Sequence, residues 1–193
     1  DQFYLIIFLV ISIFLSVLIV KNLEINFLIK TILFSSAFYL FFITARDLLF
    51  KRLKNLAQNI AHFGFSLLIL SILFNNILSN ETITNLKVGE TYKSEKLMIN
   101  FEKIEKKVAK NFNVIEGKFN VKNKNGITEI LRPELRIYNQ PNIVTSEADI
   151  KTTLLSDKFM TMNLVQNQEY FNIRYQSKPL MIWIWFSVLL LSL

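Results

Sequence analysis

The sequence predicts an integral membrane protein in which transmembrane α-helices are joined to an all-β domain, a sandwich or small barrel, standing outside the membrane. Three observations lead there. Apolar residues fill 52% of the 193 positions, and the mean hydropathy of +0.35 is too high for a soluble domain that also carries 19% charged residues. The apolar residues gather in four runs, 3–20, 27–45, 60–78 and 180–193, whereas nearly all the Lys and Glu of the second half fall between positions 81 and 178. Within that polar stretch the apolar residues alternate with a period of two, as half-buried strands do.

A spanning helix needs about 20 apolar residues to cross about 30 Å of hydrocarbon. The first three runs meet that length. The fourth covers only about 20 Å at about 1.5 Å per residue, and the sequence opens at Asp1 without an initiator Met, so both ends read as cuts through a longer protein. The first run lacks a basic leader and a small-residue cleavage site, which makes it a helix of the mature chain rather than a signal peptide. After the second run come Arg46, Lys51, Arg52 and Lys54 against a single acid, Asp47. Cations flanking a span are retained on the cytoplasmic side, so this loop is expected inside. The first helix then runs outward, the second inward and the third outward, and the turn holding Lys21 and Glu24 lies outside. The expected organisation is residues 1–58 as two spans and a cytoplasmic loop, 59–78 as an outward span, 79–178 as the outer β domain and 179–193 as the start of a truncated last span.

In the β domain, Leu97, Ile99 and Phe101 share one phase, and Leu131, Leu135 and Ile137 do so around Pro133. Asn125-Gly126, between residues 119–121 and 127–130, is a hairpin signal because both residues tolerate the positive φ of a tight turn. Strands of about 5 to 6 residues with short connections give about six to eight strands. With 4 glycines in the chain, no Gly-rich phosphate loop and no internal repeat is visible, which speaks against a nucleotide site. The net charge of +7 is spread among Asn, Glu and Ile without a basic cluster, so nucleic acid is not an expected partner. The absence of cysteine excludes iron–sulfur ligation, thiolate metal sites, disulfides and covalent haem attachment to this chain.

The single histidine, His62, sits two residues into the third apolar run, between Ala61 and Phe63 and close to Gly64. An ionisable side chain within a span is costly and marks a pathway or site by default, facing the bundle interior. A neutral imidazole lowers that cost, and a hydrogen bond to a neighbouring helix or a place near the headgroups explains it equally well. Helical spacing puts Gln58, Asn59, Phe65 and Ser66 on the face of His62 and Gly64 nearly opposite, where a glycine suits close helix packing. A polar and aromatic face around one imidazole suits an axial haem ligand, whereas zinc would need three further ligands. On the outer domain, Glu134, Arg136 and Tyr138 share one strand face, read as a ladder of cross-strand pairs in preference to a docking surface. Trp183 and Trp185 follow Lys178-Pro179 where the chain re-enters the membrane and are expected to anchor it at the interface. The carboxylate pairs Glu102 with Glu105 and Glu147 with Asp149 have no nucleophile or histidine nearby in sequence, so a hydrolytic site is not expected.

Taken in order, Ala61-His62-Phe63-Gly64, Val88-Gly89-Glu90, Pro133-Glu134-Leu135-Arg136-Ile137-Tyr138, Ser146-Glu147-Ala148 and Lys178-Pro179 with Trp183-Ile184-Trp185 resemble the C-terminal region of the CcmF family, the haem lyase subunit of system I cytochrome c maturation. The resemblance covers residues 59–193, with the earlier helices agreeing in hydropathy. It implies that His62, the histidine of an A-H-x-G motif, is one of two intramembrane axial ligands of a resident haem b, contributing its ring nitrogen to the haem iron. It implies a lyase subunit that takes haem from the chaperone CcmE, works with a CcmH-type thiol subunit and helps attach haem to apocytochrome c, in the bacterial inner membrane with a periplasmic domain, or in the mitochondrial inner membrane. Phe63 stands where the family favours Leu, Ile182 where Arg often precedes the Trp pair, and Ser187 where Gly is usual. The family's Trp-rich outer loop, second membrane histidine and two outer histidines would lie upstream of Asp1, leaving this stretch one ligand of the set. The alternative readings are a non-catalytic membrane scaffold whose β domain binds a partner, and the haem-handling subunit of system II.

Overall fold

The structure, a computed structural model, describes residues 2–21, 26–50, 55–95, 97–124, 126, 128–165 and 169–192. The sequence signals at Asp1, Glu24, Lys51, Arg52, Lys54, Asn125 and Leu193 lie outside the described residues. The chain divides into two compact units, Asp1–Leu78 with Pro179–Leu193 and Ser79–Lys178.

The first unit is helical: α1 (Gln2–Val20), α2 (Phe27–Phe50), α3 (Leu56–Leu78) and α4 (Met181–Leu191). The first three are long and apolar enough to cross a membrane. Apolar side chains such as Phe3, Leu28 and Phe50 point outward, as hydrocarbon rather than water requires of a helix surface. Lipid tails give apolar helices no hydrophobic reason to associate, so close packing of small residues and hydrogen bonds between helices do that work. Ser12, Ser16, Ser66 and Ser187 are accordingly buried, and most return their hydroxyls to the preceding turn, as when Ser16 donates to the Ile13 carbonyl at 2.8 Å. Thr44 of α2 and Ser66 of α3 share a hydrogen bond of 2.7 Å. Phe34 and Phe38 pack edge-on against Phe74, with ring centroids 5.4 and 6.0 Å apart.

The apolar run that suggests an end for α2 at residue 45 stops short of the observed end at Phe50. Arg46 and Asp47 are therefore helical. The Arg46 guanidinium lies 5.3 Å from the Tyr4 ring centroid, and the apolar pair Leu49-Phe50 carries the helix past both charges.

The second unit is a β-sandwich. Among the described residues its strands are β1 (Asn80–Leu86), β2 (Thr91–Lys93), β3 (Leu97–Val108), β4 (Phe112–Asn123), β5 (Thr128–Leu131), β6 (Glu134–Asn139), β7 (Asn142–Glu147), β8 (Asp149–Thr152), β9 (Ser156–Leu164) and β10 (Phe171–Pro179). One sheet has the order β1-β10-β9-β8 and the other β2-β3-β4-β6-β7, with β5 also on β4. The strands number ten among the described residues, where six to eight were expected, and the reason is local. Pro133, which has no N–H to donate, splits what would be one strand into β5 and β6. Both lie along β4, with Phe119 opposite Leu131 and Glu116 opposite Glu134, and Gly117 donates to the Pro133 carbonyl at 3.0 Å between them. At Ala148 the chain crosses from one sheet to the other, separating β7 from β8.

The alternating residues meet in one core: Leu97, Ile99 and Phe101 face Met160, Met162 and Ile173 across the sandwich. Phe101 stacks on Phe119 at 4.2 Å. The β4–β5 connection is a hairpin, but pairing ends with Lys122 opposite Thr128. Gly126, at φ 77°, donates to the Asn123 carbonyl at 2.9 Å. The turn is thus longer than the two-residue form and uses the glycine for its left-handed backbone.

Candidate functional site

His62 lies in the second turn of α3, about 9 Å from its start at about 1.5 Å per residue. The expected orientation toward the bundle interior is not met by the described helices: His62 is exposed on the helical unit, as are Gln58, Phe65, Ile72 and Asn76 on the same stripe of the helix. Gly64, on the other side, is the point of closest approach to α4: a Cβ there would stand 2.8 Å from Cβ of Leu190 and 3.1 Å from the Ser187 carbonyl. Ser66 departs from the face proposed for it. It lies about 40° further round the helix than His62 and is buried against Thr44, so it belongs to the α2–α3 contact.

The Gln58 side-chain nitrogen is 3.3 Å from Nε2 of His62. With the amide donating, Nε2 is the unprotonated nitrogen and its lone pair is the one a metal would take. An exposed bond between residues four apart on a helix contributes about 0.5–1.5 kcal/mol at most, so Gln58 does not block coordination. Phe65 adds an aromatic surface beside the imidazole. These residues fit one side of a haem: a nitrogen ligand able to accept iron, with apolar and aromatic neighbours. Among the described residues no group of three or more His, Cys, Asp or Glu could hold a bare metal ion.

A second feature of the helical unit was read from sequence only as a topology marker. Arg46, with Tyr4, Phe8, Phe42, Ala45, Leu49 and Phe50, lines an open cleft of about 490 Å³ between α1 and α2. A guanidinium among aromatic rings in a span keeps its charge partly satisfied through their negative faces.

In the sandwich, the strand face of Glu134, Arg136 and Tyr138 is paired along β6 more closely than across it, the cross-strand approach of Arg136 to Glu147 being 3.9 Å. Arg136 donates to Glu134 Oε2 from Nε and Nη2, each at 3.1 Å, and lies 5.4 Å from the Phe112 ring centroid. The carboxylates weighed as acid–base pairs are each held by cations or amides. Lys118 donates to Glu102 at 2.9 Å, and this contact holds the Glu102 carboxyl below its ordinary pKa. Lys103 does the same for Glu105 at 2.6 Å, and Asp149 accepts from the Arg132 backbone N–H at 2.6 Å. Trp183 and Trp185 are both exposed near the start of α4, after Asn75 donates to the Pro179 carbonyl at 2.6 Å.

Sequence reading missed a polar group inside the sandwich. Lys158 and Glu129 form an ion pair there, and the Tyr175 hydroxyl and Glu129 Oε2 have no hydrogen-bond partner among the described residues. Tyr175 is 3% exposed. Burial, reinforced by the Glu129 charge, pushes its phenol up to about 12. The available signal was Lys158 itself, a charge in the same strand phase as Met160 and Met162.

Residues 77–179, more than half of the chain, match the family described as the CcmF C-terminal beta-sandwich. A solved structure named Cytochrome c Heme Lyase CcmF is similar over 100% of this chain, with a TM-score of 0.73 at 15% identity, and the chain spans 33% of that protein's length. No curated protein matches the chain.

Proposed function

This chain belongs to the CcmF family, and on that premise we propose that it is part of a cytochrome c haem lyase in which His62 is an axial ligand of a haem b held among membrane helices. The observation that carries the reading is the accessible imidazole of His62, on a face of α3 that no other described helix covers, with a Phe beside it and a displaceable Gln at Nε2. The chain's own part would be to fix that imidazole: the Gly64 contact with α4 and the Ser66 bond to Thr44 would hold α3 in place, and the Gln58 amide would give up Nε2 to the iron. A haem b bound there would supply an electron to keep the haem being transferred in its reduced state. The β-sandwich would stand on the periplasmic side of an inner membrane as the part that meets the haem chaperone CcmE, a CcmH-type thiol subunit and apocytochrome c, because no cysteine of this chain can form the thioether or reduce the partner.

The test replaces His62 with Ala in the full-length protein and reads two quantities: the haem absorbance of the purified protein and the yield of c-type cytochrome. Both are expected to fall, with Gln58→Ala keeping the haem. Haem content and yield unchanged in His62→Ala would remove the assigned role and leave a membrane-anchored scaffold with a partner-binding β domain.

A further inference from the structure

The turn between β8 and β9 carries the chemistry of a membrane contact. Turns ordinarily place Gly, Asn, Asp or Ser at their tips, but here the two tip residues are Leu154 and Leu155, 68% and 73% exposed, with Ile150 of β8 at 58%. The tip is also held in shape. Thr153 and Ser156 clamp it through the Thr153 N–H donating to the Ser156 carbonyl at 3.0 Å, the Thr153 hydroxyl donating to the same carbonyl at 2.7 Å and the Ser156 N–H donating to the Thr153 hydroxyl at 3.1 Å. Two leucines are thus presented to the surroundings by an ordered hairpin.

The position of this tip in the sheet says what surrounds it. β9 and β10 are neighbours, each 9 residues long, and a short connection joins the end of β9 to the start of β10. Their far ends, Ser156 and Pro179, therefore come level, and Lys178 Nζ lies 5.3 Å from the Phe159 ring centroid. β10 in turn pairs with β1, Asn80 opposite Ser177. Asn80 follows the end of α3 at Leu78, and Pro179 precedes the start of α4 at Met181. Both covalent links from the sandwich to the apolar helices thus leave from the end of the sheet at which Leu154 and Leu155 sit. Strands lie about 4.8 Å apart, so the leucine tip is one or two strands from the residue that leads into α4. The same end is cationic. Lys124 lines an open cleft with Asn80 and Ser177, Lys93 pairs opposite Met98 in the first turn of that edge, and Lys151 precedes the tip. Of the acids there, Glu81 is engaged by Arg174, Glu95 lines the same cleft as Lys124 and Asp157 follows Ser156, so that with Lys178 the lysines outnumber the remaining acids.

We propose that Leu154 and Leu155 insert into the interfacial zone of the bilayer, and that the lysines at this end of the sandwich meet anionic lipid headgroups. Apolar tips flanked by cations bind a membrane surface through buried apolar area plus attraction to anionic lipid. The inference is independent of haem and of His62.

The chain has no cysteine, so single spin labels at Leu155→Cys and, as a second variant, Leu154→Cys report one place each. Val108→Cys is the comparator. Val108 is 87% exposed and ends the 12-residue β3, roughly 35 Å from Leu97 at the cationic end. With the chain reconstituted in nanodiscs of phosphatidylcholine and phosphatidylglycerol, collision with oxygen, which concentrates in lipid, is compared with collision with a water-soluble nickel chelate. The oxygen-to-nickel ratio at both tip positions is expected to exceed that at Val108 several-fold. A ratio equal to that at Val108 places the tip in water and overturns the proposal. Shielding from both reagents also overturns it, in favour of a protein pocket as the occupant.

Discussion

Tyr175 shows what a single buried group does to the pH response of the sandwich. Its hydroxyl is buried without a partner, and its phenol is pushed up to about 12 by burial and the Glu129 charge, against about 10 in an unfolded chain. The folded state then holds the proton in a range where the unfolded state has released it, so stability is complete below about pH 10 and is lost as pH rises from about 10 to 12. Thermal unfolding of the whole chain in detergent, followed by the β circular dichroism signal, is expected to show Tyr175→Phe losing about 2 kcal/mol less than wild type across that interval. At pH 7 the variant should be no less stable, because an unpaired buried hydroxyl contributes no hydrogen bond. Equal losses in the two proteins would show that the phenol is not the group concerned. Nothing in the sequence singles out Tyr175, since a tyrosine in the apolar phase of a strand reads as ordinary core. His62 could be located by composition alone, as the single histidine of the chain, placed in an apolar run. Ser66 could not be assigned correctly, because its partner, Thr44, lies on another helix and helical spacing carries no information about neighbours.

The contact between β5 and β9 is decided by an ion pair where the strand pattern calls for apolar residues. Lys158 and Glu129 both point into the sandwich, and their side chains are 11% and 18% exposed. Bringing two charges out of water costs several kcal/mol per ion, which their attraction offsets only while both are present. Lys158→Met alone leaves the Glu129 carboxylate without its cation and is expected to destabilise the chain by about 3 kcal/mol. The double variant Lys158→Met with Glu129→Leu should recover most of that loss. Chemical denaturation of the three proteins in the same detergent measures both numbers, and additive losses in the double variant would mean that the two side chains act independently. At this scale the strands of the core were legible from period-two alternation at Leu97, Ile99 and Phe101. The break at Pro133 was not, because a strand that pauses for two residues and resumes beside the same neighbour keeps its hydrophobic phase, and the crossing at Ala148 was not, because the sequence pattern does not say which strand is the neighbour. The overrun of α2 to Phe50 escaped for a related reason: a hydropathy run ends at the first charge, while a helix continues wherever that charge finds an aromatic face such as Tyr4.

For the molecule as a whole, the contrast between long apolar runs and an alternating polar stretch was enough to indicate membrane helices plus an all-β domain, with sandwich and small barrel both open, because lipid and water impose opposite demands on a chain's surface. The direction in which the chain crosses rests on less, four cations against one acid around the link between α2 and α3. Of these, Arg46 sits in the helix itself, near the end of α2, while Lys51, Arg52 and Lys54 follow it. Carrying a cation through hydrocarbon costs about 2.5–3.5 kcal/mol even on the lowest scales, so a cluster of four strongly favours keeping this link on the cytoplasmic side. α3, which begins at Leu56, is then expected to run outward, with the sandwich that follows it outside. The consequence can be read with a thiol reagent that does not cross membranes, since the chain has no cysteine of its own. Val108→Cys, on the sandwich, should react in sealed right-side-out vesicles. Asn55→Cys, exposed just before α3, should react only after the vesicles are opened. The reverse pattern would place the sandwich in the cytoplasm and remove the proposed meeting with apocytochrome c on the outer side, whereas labelling of both residues in sealed vesicles would mean that α3 does not span the membrane.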